Sequence, residues 1–158
     1  TVETDDTNYK DIRFYINTDI TYAFGSGKVT GSYGTATARA HADTTWTSQD
    51  KTDNLIPTGK DVGDLKAEGL KTILIREVKE QSEVELNKTD WYVTRKAEES
   101  TAIPSSITTH RQAVRSKQAS MCTAITNAAD TAALKTLYTY TTTDGVTSRP
   151  LGVIPTLD

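Results

Sequence analysis

The sequence predicts an α+β chain: a small Thr-rich antiparallel β region, then a helical hairpin, a third short helix and an extended C-terminal tail. Three observations predict it. Residues 10–50 repeat apolar side chains with period two between turn signals, as half-buried strands do. From residue 64 the spacing changes to threes and fours, the stripe of amphipathic helices. Beyond Asp144-Gly145 the periodicity stops, and prolines stand at 150 and 155.

Residues 1–9 are polar and acidic and read as an N-terminal arm. Ile12, Phe14 and Ile16 then share one face of a strand, Asn17–Asp19 turns the chain, and Ile20, Tyr22 and Phe24 share a face of the next run. Gly25-Ser26-Gly27 is a second turn signal. Residues 10–58 therefore form a β-rich region whose exposed edges can pair with another chain. A loop punctuated by Pro57, Gly59 and Gly63 leads to Asp64, a candidate N-cap. Ala67, Leu70, Leu74 and Val78 follow as a helical stripe that can run to Leu86 or on through Trp91. Pro104 biases Ile103 away from helix, so the chain breaks there. Ser105 or Ser106 is the expected cap of a second helix, whose face is Ile107, Val114, Met121 and Ile125. Asp130 can cap a third helix, Thr131 to Thr141, within a helical region 64–141. Residues 142–158 form the extended tail, and its Leu151, Val153, Ile154 and Leu157 are apolar enough to seek the helices or a neighbouring subunit as assembly contacts.

Hydrophobic residues make up 35% of the chain and Thr is its commonest residue, so the core is thin and stability from neighbouring chains is expected. A homo-oligomer follows as the expectation. The net charge of −3 and mixed-sign surface give no basic footprint for nucleic acid. Cys122 is the single cysteine, which excludes an intrachain disulfide and suits a reducing compartment. The first twenty residues lack the basic start and apolar run of a secretion signal, and no stretch has the apolar length of a membrane span.

The sequence carries no catalytic constellation, and a non-enzymatic protein without metal or cofactor is expected. "GSGKVTG" at Gly25–Gly31 is not a phosphate-binding loop, because Tyr22 and Val29 stand where Gly and Ser or Thr are needed. His41 and His110 have no zinc-site spacing to Cys122, which reads as a buried, inert thiol. Glu80, Glu83 and Glu85 read as an acidic solvent face, and His110 as a solvated or capping residue. Trp46, with Asp43 and Asp50 nearby, is the one candidate for stacking on a glycan.

One stretch carries a resemblance. "LNKTDWYVTRKAEESTAIPSSITTHRQAVRSK", Leu86 to Lys117, resembles the phage tail assembly chaperone-like family, which is also found among tail-fibre accessory and virion structural proteins. The pattern is a helix ending in Thr-Asp-Trp, a Pro-containing loop, then His or an aromatic before Arg-x-Ala-apolar-Arg. Thr89, Asp90, Trp91, Pro104, His110, Arg111, Ala113, Val114 and Arg115 occupy those places, and Val153-Ile154-Pro155-Thr156 is similar to the family's apolar-Pro-Thr tail. "DWYVTRKAE" and "RPLG" particularly resemble structural proteins of large tailed cyanophages. The extra helix after residue 130 and the Thr-rich N-terminal region depart from the short family form.

The resemblance implies a non-enzymatic virion protein of a tail, baseplate or tail-fibre region, made in the host cytoplasm and held to other tail proteins by protein–protein contacts. The alternative is an assembly chaperone that leaves before the particle matures; a host-binding adhesin module is the weaker one. In this frame Asp90, Trp91, Pro104, Arg111 and Val114 lock the hairpin. The indole covers the crossing of the two helices, and its loss should cost about 3–5 kcal/mol, as for a buried Trp.

Overall fold

The computed structural model describes residues 1–157 and has the expected α+β composition, with five helices and four small sheets among them. The chain divides into two compact units. One comprises residues 1–70 with 130–135, the other 71–129 with 136–157.

The first unit is the β region. Strands β1 (Val2–Asp5), β3 (Ile20–Gly25) and β4 (Lys28–Tyr33) form a sheet in the order β1-β4-β3. Between them in sequence lies β2 (Tyr15–Ile16), which pairs with β5 (Thr37–Ala38). β3 and β4 are an antiparallel hairpin closed by Ser26 and Gly27, both at positive φ, as a two-residue hairpin turn demands. The expected arm is instead a strand. Val2–Asp5 pairs with Val29–Ser32, and the pairing is parallel, so the sheet is mixed rather than antiparallel. Parallel strands need a long connection, and the chain between β1 and β4 supplies it.

The expected strand at Ile12, Phe14 and Ile16 is also interrupted. The Asp11 carboxylate accepts the Arg13 amide (2.9 Å) and the Asp11 carbonyl accepts the amides of Phe14 (3.0 Å) and Tyr15 (2.9 Å), winding the chain into a turn. Phe14 alone goes inward, and Ile12 and Ile16 stay exposed. The start of the third helix belongs to this unit. Thr131 Oγ1 donates to the Arg39 carbonyl (2.7 Å), the Lys135 ammonium lies 5.9 Å from the Tyr15 ring centre, and Leu134 is fully buried.

A short pair, β6 (Thr44–Thr45) with β7 (Leu65–Ala67), flanks helix α1 (Ser48–Thr52). Asp64 is therefore not a helix cap. Its carboxylate accepts the Asp61 amide in a turn, and β7 follows. Helix α2 (Leu70–Asn87) starts only after Gly69, whose amide donates to Asp43 Oδ1 (2.7 Å) and whose Cα faces the Ala42 carbonyl with no room for a Cβ.

The second unit holds α2 from Lys71 on, α3 (Asp90–Glu99), α4 (Ser105–Asn127) and the end of α5 (Thr131–Tyr138). The N-cap position of α4 is Pro104, not a serine. Its extended ψ of 141° aims the chain into the helix, and Ser105 is the first helical residue. Ile107, Val114, Met121 and Ile125 are buried as the sequence predicts. At α5 the expected cap forms, with Ala133 N donating to Asp130 Oδ1 (2.8 Å). The helix ends at Tyr138, three residues early. There the tail departs from an extended form: β8 (Thr141–Thr143) and β9 (Val146–Ser148) make a hairpin around Asp144-Gly145, tied by the Thr142 and Thr147 hydroxyls (2.8 Å).

Gly69→Ala is expected to destabilise the first unit by about 1–3 kcal/mol, because backbone rather than a flexible side chain must move. Urea unfolding followed by circular dichroism measures it, and a midpoint equal to wild type contradicts the packing described.

Candidate functional site

Helix α2 buries Leu74, Val78, Ser82 and Glu85 in succession, at spacings of four, four and three. Extended by four, the same stripe reaches Thr89, also buried. The helix stops there. Thr89 donates both its amide and its hydroxyl to the Leu86 carbonyl (each 3.0 Å), and α3 begins one residue later. Arg111 reaches this break from α4. Its Nη1 donates to the Leu86 carbonyl (2.8 Å) and to Thr89 Oγ1 (2.7 Å), and its Nη2 lies 2.8 Å from Asp90 Oδ1. At the other end of α2, Lys71 Nζ donates to the Thr126 carbonyl near the end of α4 (2.8 Å). The two contacts run the helices antiparallel.

The lock therefore brings together Asp90 and Arg111, with Val114 fully buried on α4 and Pro104 at its start. Trp91 is not its clasp. It is 51% exposed, its ring 3.8 Å from that of Tyr92 and 4.8 Å from the Arg95 guanidinium. The cause is phase: the buried stripe runs through Glu85 to Thr89, and residue 91 stands two places beyond it, on the far side of the helix. A guanidinium takes over the role expected of the indole, because it can satisfy the acceptors the break leaves open.

The acidic solvent face holds at Glu80 and Glu83, which are exposed, and is corrected at Glu85. Glu85 is only 4% exposed. Its Oε2 pairs with Lys88 Nζ (2.5 Å), and its Oε1 accepts the Leu157 amide (2.6 Å) and lies 3.2 Å from His110 Nε2, a close contact not aligned as a hydrogen bond. His110 is thus neither solvated nor a cap. The hydrogen bond from Lys88 chiefly holds the Glu85 carboxyl below its usual range, against the opposing effect of burial, with help from the Leu157 amide and the charges of Lys88 and His110.

This carboxylate is where the tail returns to α2. Among the tail residues, Leu151 is buried and its amide donates to the Leu137 carbonyl (3.0 Å). Ile154 is half-buried, and Val153 and Leu157 are exposed. Arg149 donates to the Gly152 carbonyl (2.9 Å) and sits 5.0 Å from the Tyr138 ring centre and 5.3 Å from that of Tyr140. Between α2 and the tail lies a groove of about 480 Å³, lined in part by Glu77, Gln81, Val84, Arg149, Val153 and Ile154.

The remaining candidates have local partners. Asp50 completes a capping box with Thr47 and bonds Lys66 Nζ (2.7 Å); those bonds, Lys66 first, lower its carboxyl to about 2. Lys66 in turn lies 4.6 Å from the centre of the Trp46 ring, a face a glycan would have to share. Cys122 is half-buried rather than buried. Among the described residues no group of three or more His, Cys, Asp or Glu is placed to hold a metal ion, and no helix is long and apolar enough to cross a membrane. Comparison with models of protein families, with curated proteins and with solved structures finds no match.

Two outcomes are expected. Arg111→Ala removes the buried donor that the Leu86 carbonyl and the Thr89 hydroxyl share and leaves a cavity between the helices, and should cost about 2–4 kcal/mol, whereas Trp91→Ala should cost about 1 kcal/mol or less; chemical denaturation ranks them. Because the Glu85 value is lowered on folding, its contribution is present above the ordinary carboxylate range and lost as pH falls through the lowered value. Between pH 6 and pH 3 the melting temperature of Glu85→Gln should therefore fall less steeply than that of wild type.

Proposed function

We propose that this chain is a non-enzymatic structural protein of a bacteriophage tail, baseplate or tail-fibre region, acting through contacts with copies of itself and with other particle proteins. The observation that carries the reading is the open apolar face of the sheet, which Tyr9 covers at Tyr33 only. Val2, Val29 and Phe24 stand in register across β1, β4 and β3, and Tyr22 shares their face, yet Phe24 is 79% exposed and Val2 and Tyr22 are also open to solvent. A sheet with one apolar face needs a second layer, and a sheet that lacks one within its own unit obtains it by assembly. The apolar residues exposed on the tail, Val153 and Leu157, add a second such surface. The resemblance of Leu86–Lys117 supplies the phage-tail setting. The buried carboxylate at Glu85 has a structural use on this reading: it holds the tail in place.

Purified particles of the source phage, analysed by quantitative mass spectrometry, should contain the protein in a fixed ratio to a known tail component. A chain abundant in infected cells and missing from particles would instead be the transient assembly factor.

A further inference from the structure

We propose that β3 is the site at which two copies of this chain join, edge to edge and antiparallel, about a twofold axis through Tyr22. The inference deepens the assembly reading and rests on it. β3 is an outer strand of its sheet. Closure of the hairpin by a two-residue loop makes Gly25–Lys28 a hydrogen-bonded pair, and the antiparallel alternation then turns Thr21, Ala23 and Gly25 toward β4. The backbone amides and carbonyls of Ile20, Tyr22 and Phe24 point the other way, to the open edge. Nothing protects that edge. Ile20–Gly25 has no charge, no proline and no bulge in its register, the devices by which edge strands avoid pairing.

The opposite edge is different. β1 carries Glu3 and Asp5. A twofold axis normal to a sheet keeps each side chain on its own face, so only registers that pair residues of equal parity are allowed. For β1 on β1, each such register joining three or more strand residues sets Glu3 against Glu3 or Glu3 against Asp5, which like-charge repulsion opposes.

For β3 the same rule selects a favourable register. With Tyr22 opposite Tyr22, Ile20 stands opposite Phe24 and Thr21 opposite Ala23. The outward-facing residues then pair only with one another, so each pair can exchange two backbone hydrogen bonds. "ITYAF" reads apolar, small, aromatic, small, apolar in both directions, which is the self-complementarity that an isologous contact requires. Ile20 and Tyr22 lean over Gly31, within 2.7 and 2.9 Å of where its Cβ would be, which keeps them on the apolar face and leaves the backbone of the outer edge uncovered by them. This pattern favours a second copy over an unrelated partner.

Sedimentation of the full chain at tens of micromolar tests the register. Wild type should sediment as a dimer or an even multiple of it. Tyr22→Lys and Tyr22→Glu each place like charges together on the axis and should halve that mass with an unchanged circular dichroism spectrum, and an equimolar mixture of the two should restore it. A monomeric wild type, variants that stay associated, or a mixture that stays apart would overturn the proposal. Should the charged variants unfold, Thr21→Cys with Ala23→Cys in a Cys122→Ser background decides it. Those positions form a non-hydrogen-bonded cross-strand pair, so oxidation should trap a covalent dimer in high yield, and a monomer after oxidation rejects the contact. A chain that is found in particles while its Tyr22 variants remain associated loses this interface and keeps its assembly role.

Discussion

The helical unit depends on one arrangement: a helix that ends in a buried place, and a guanidinium that makes the ending tolerable. A broken helix leaves its last carbonyls without intrahelical donors, and burial makes each of them costly. At Leu86 the carbonyl accepts from the amide and hydroxyl of Thr89 and from Arg111. Arg suits the place because one planar group can face a carbonyl, a hydroxyl and a carboxylate together, where an ammonium on a flexible stem would be less well ordered. The same side chain joins the end of α2 to the first turns of α4. Val114, one turn further along, has no solvent exposure. The Asp90 end of the pair is half exposed and adds little by itself, so the value of Arg111 lies in the neutral acceptors it satisfies.

Beside this junction the chain places a second buried charge. Glu85 is one residue from Leu86, and its partners come from three parts of the unit: Lys88 after α2, His110 on α4 and Leu157 in the tail. An isolated carboxylate at 4% exposure would be expelled or protonated. With an ammonium and a backbone amide it remains ionised and becomes a fixed point for a tail that has no regular structure of its own beyond β9. The half-exposed neighbours Val84 and Val153 leave a groove there instead of a closed seam.

How much of this was legible in the residues follows from which forces are local. The stripe on α4 and the cap at Asp130 depend on spacing and on one side chain, and they stand where spacing puts them. The start of α2 lies later than the stripe suggests because Ala67 fits a helical stripe as well as a strand, and only the distant Thr44–Thr45 resolves the ambiguity. The arm became a strand for the same reason, since its partner β4 lies far along the chain. At Trp91 residue type and helical phase point in opposite directions, and phase decides. Counting on from Leu74 by fours and threes reaches Ser82, Glu85 and Thr89, so the buried polar positions were encoded in the period, and their polarity hid them. For the expected lock residues, Asp90 and Arg111 meet, Val114 and Pro104 serve α4, and Trp91 does not take part.

The two units make opposite uses of polar chemistry. In the helical unit, Ser82, Glu85, Thr89 and Arg111 are taken inside and hydrogen-bonded there, which yields a specific interior from few apolar residues. In the β unit the alternation sorts the two faces: Glu3, Thr30 and Ala23 lie on one side, and Val2, Val29 and Phe24 on the other. On the second side only Tyr33 is seen to be covered by a ring of the same unit, that of Tyr9 at 4.9 Å, and Phe24, Tyr22 and Val2 stay exposed. A three-stranded sheet is near the lower limit of independent stability even with its apolar face covered. Exposed Phe24 and Val2 are therefore a continuing cost to a lone chain, and the cost is removed by any arrangement that gives the face a partner.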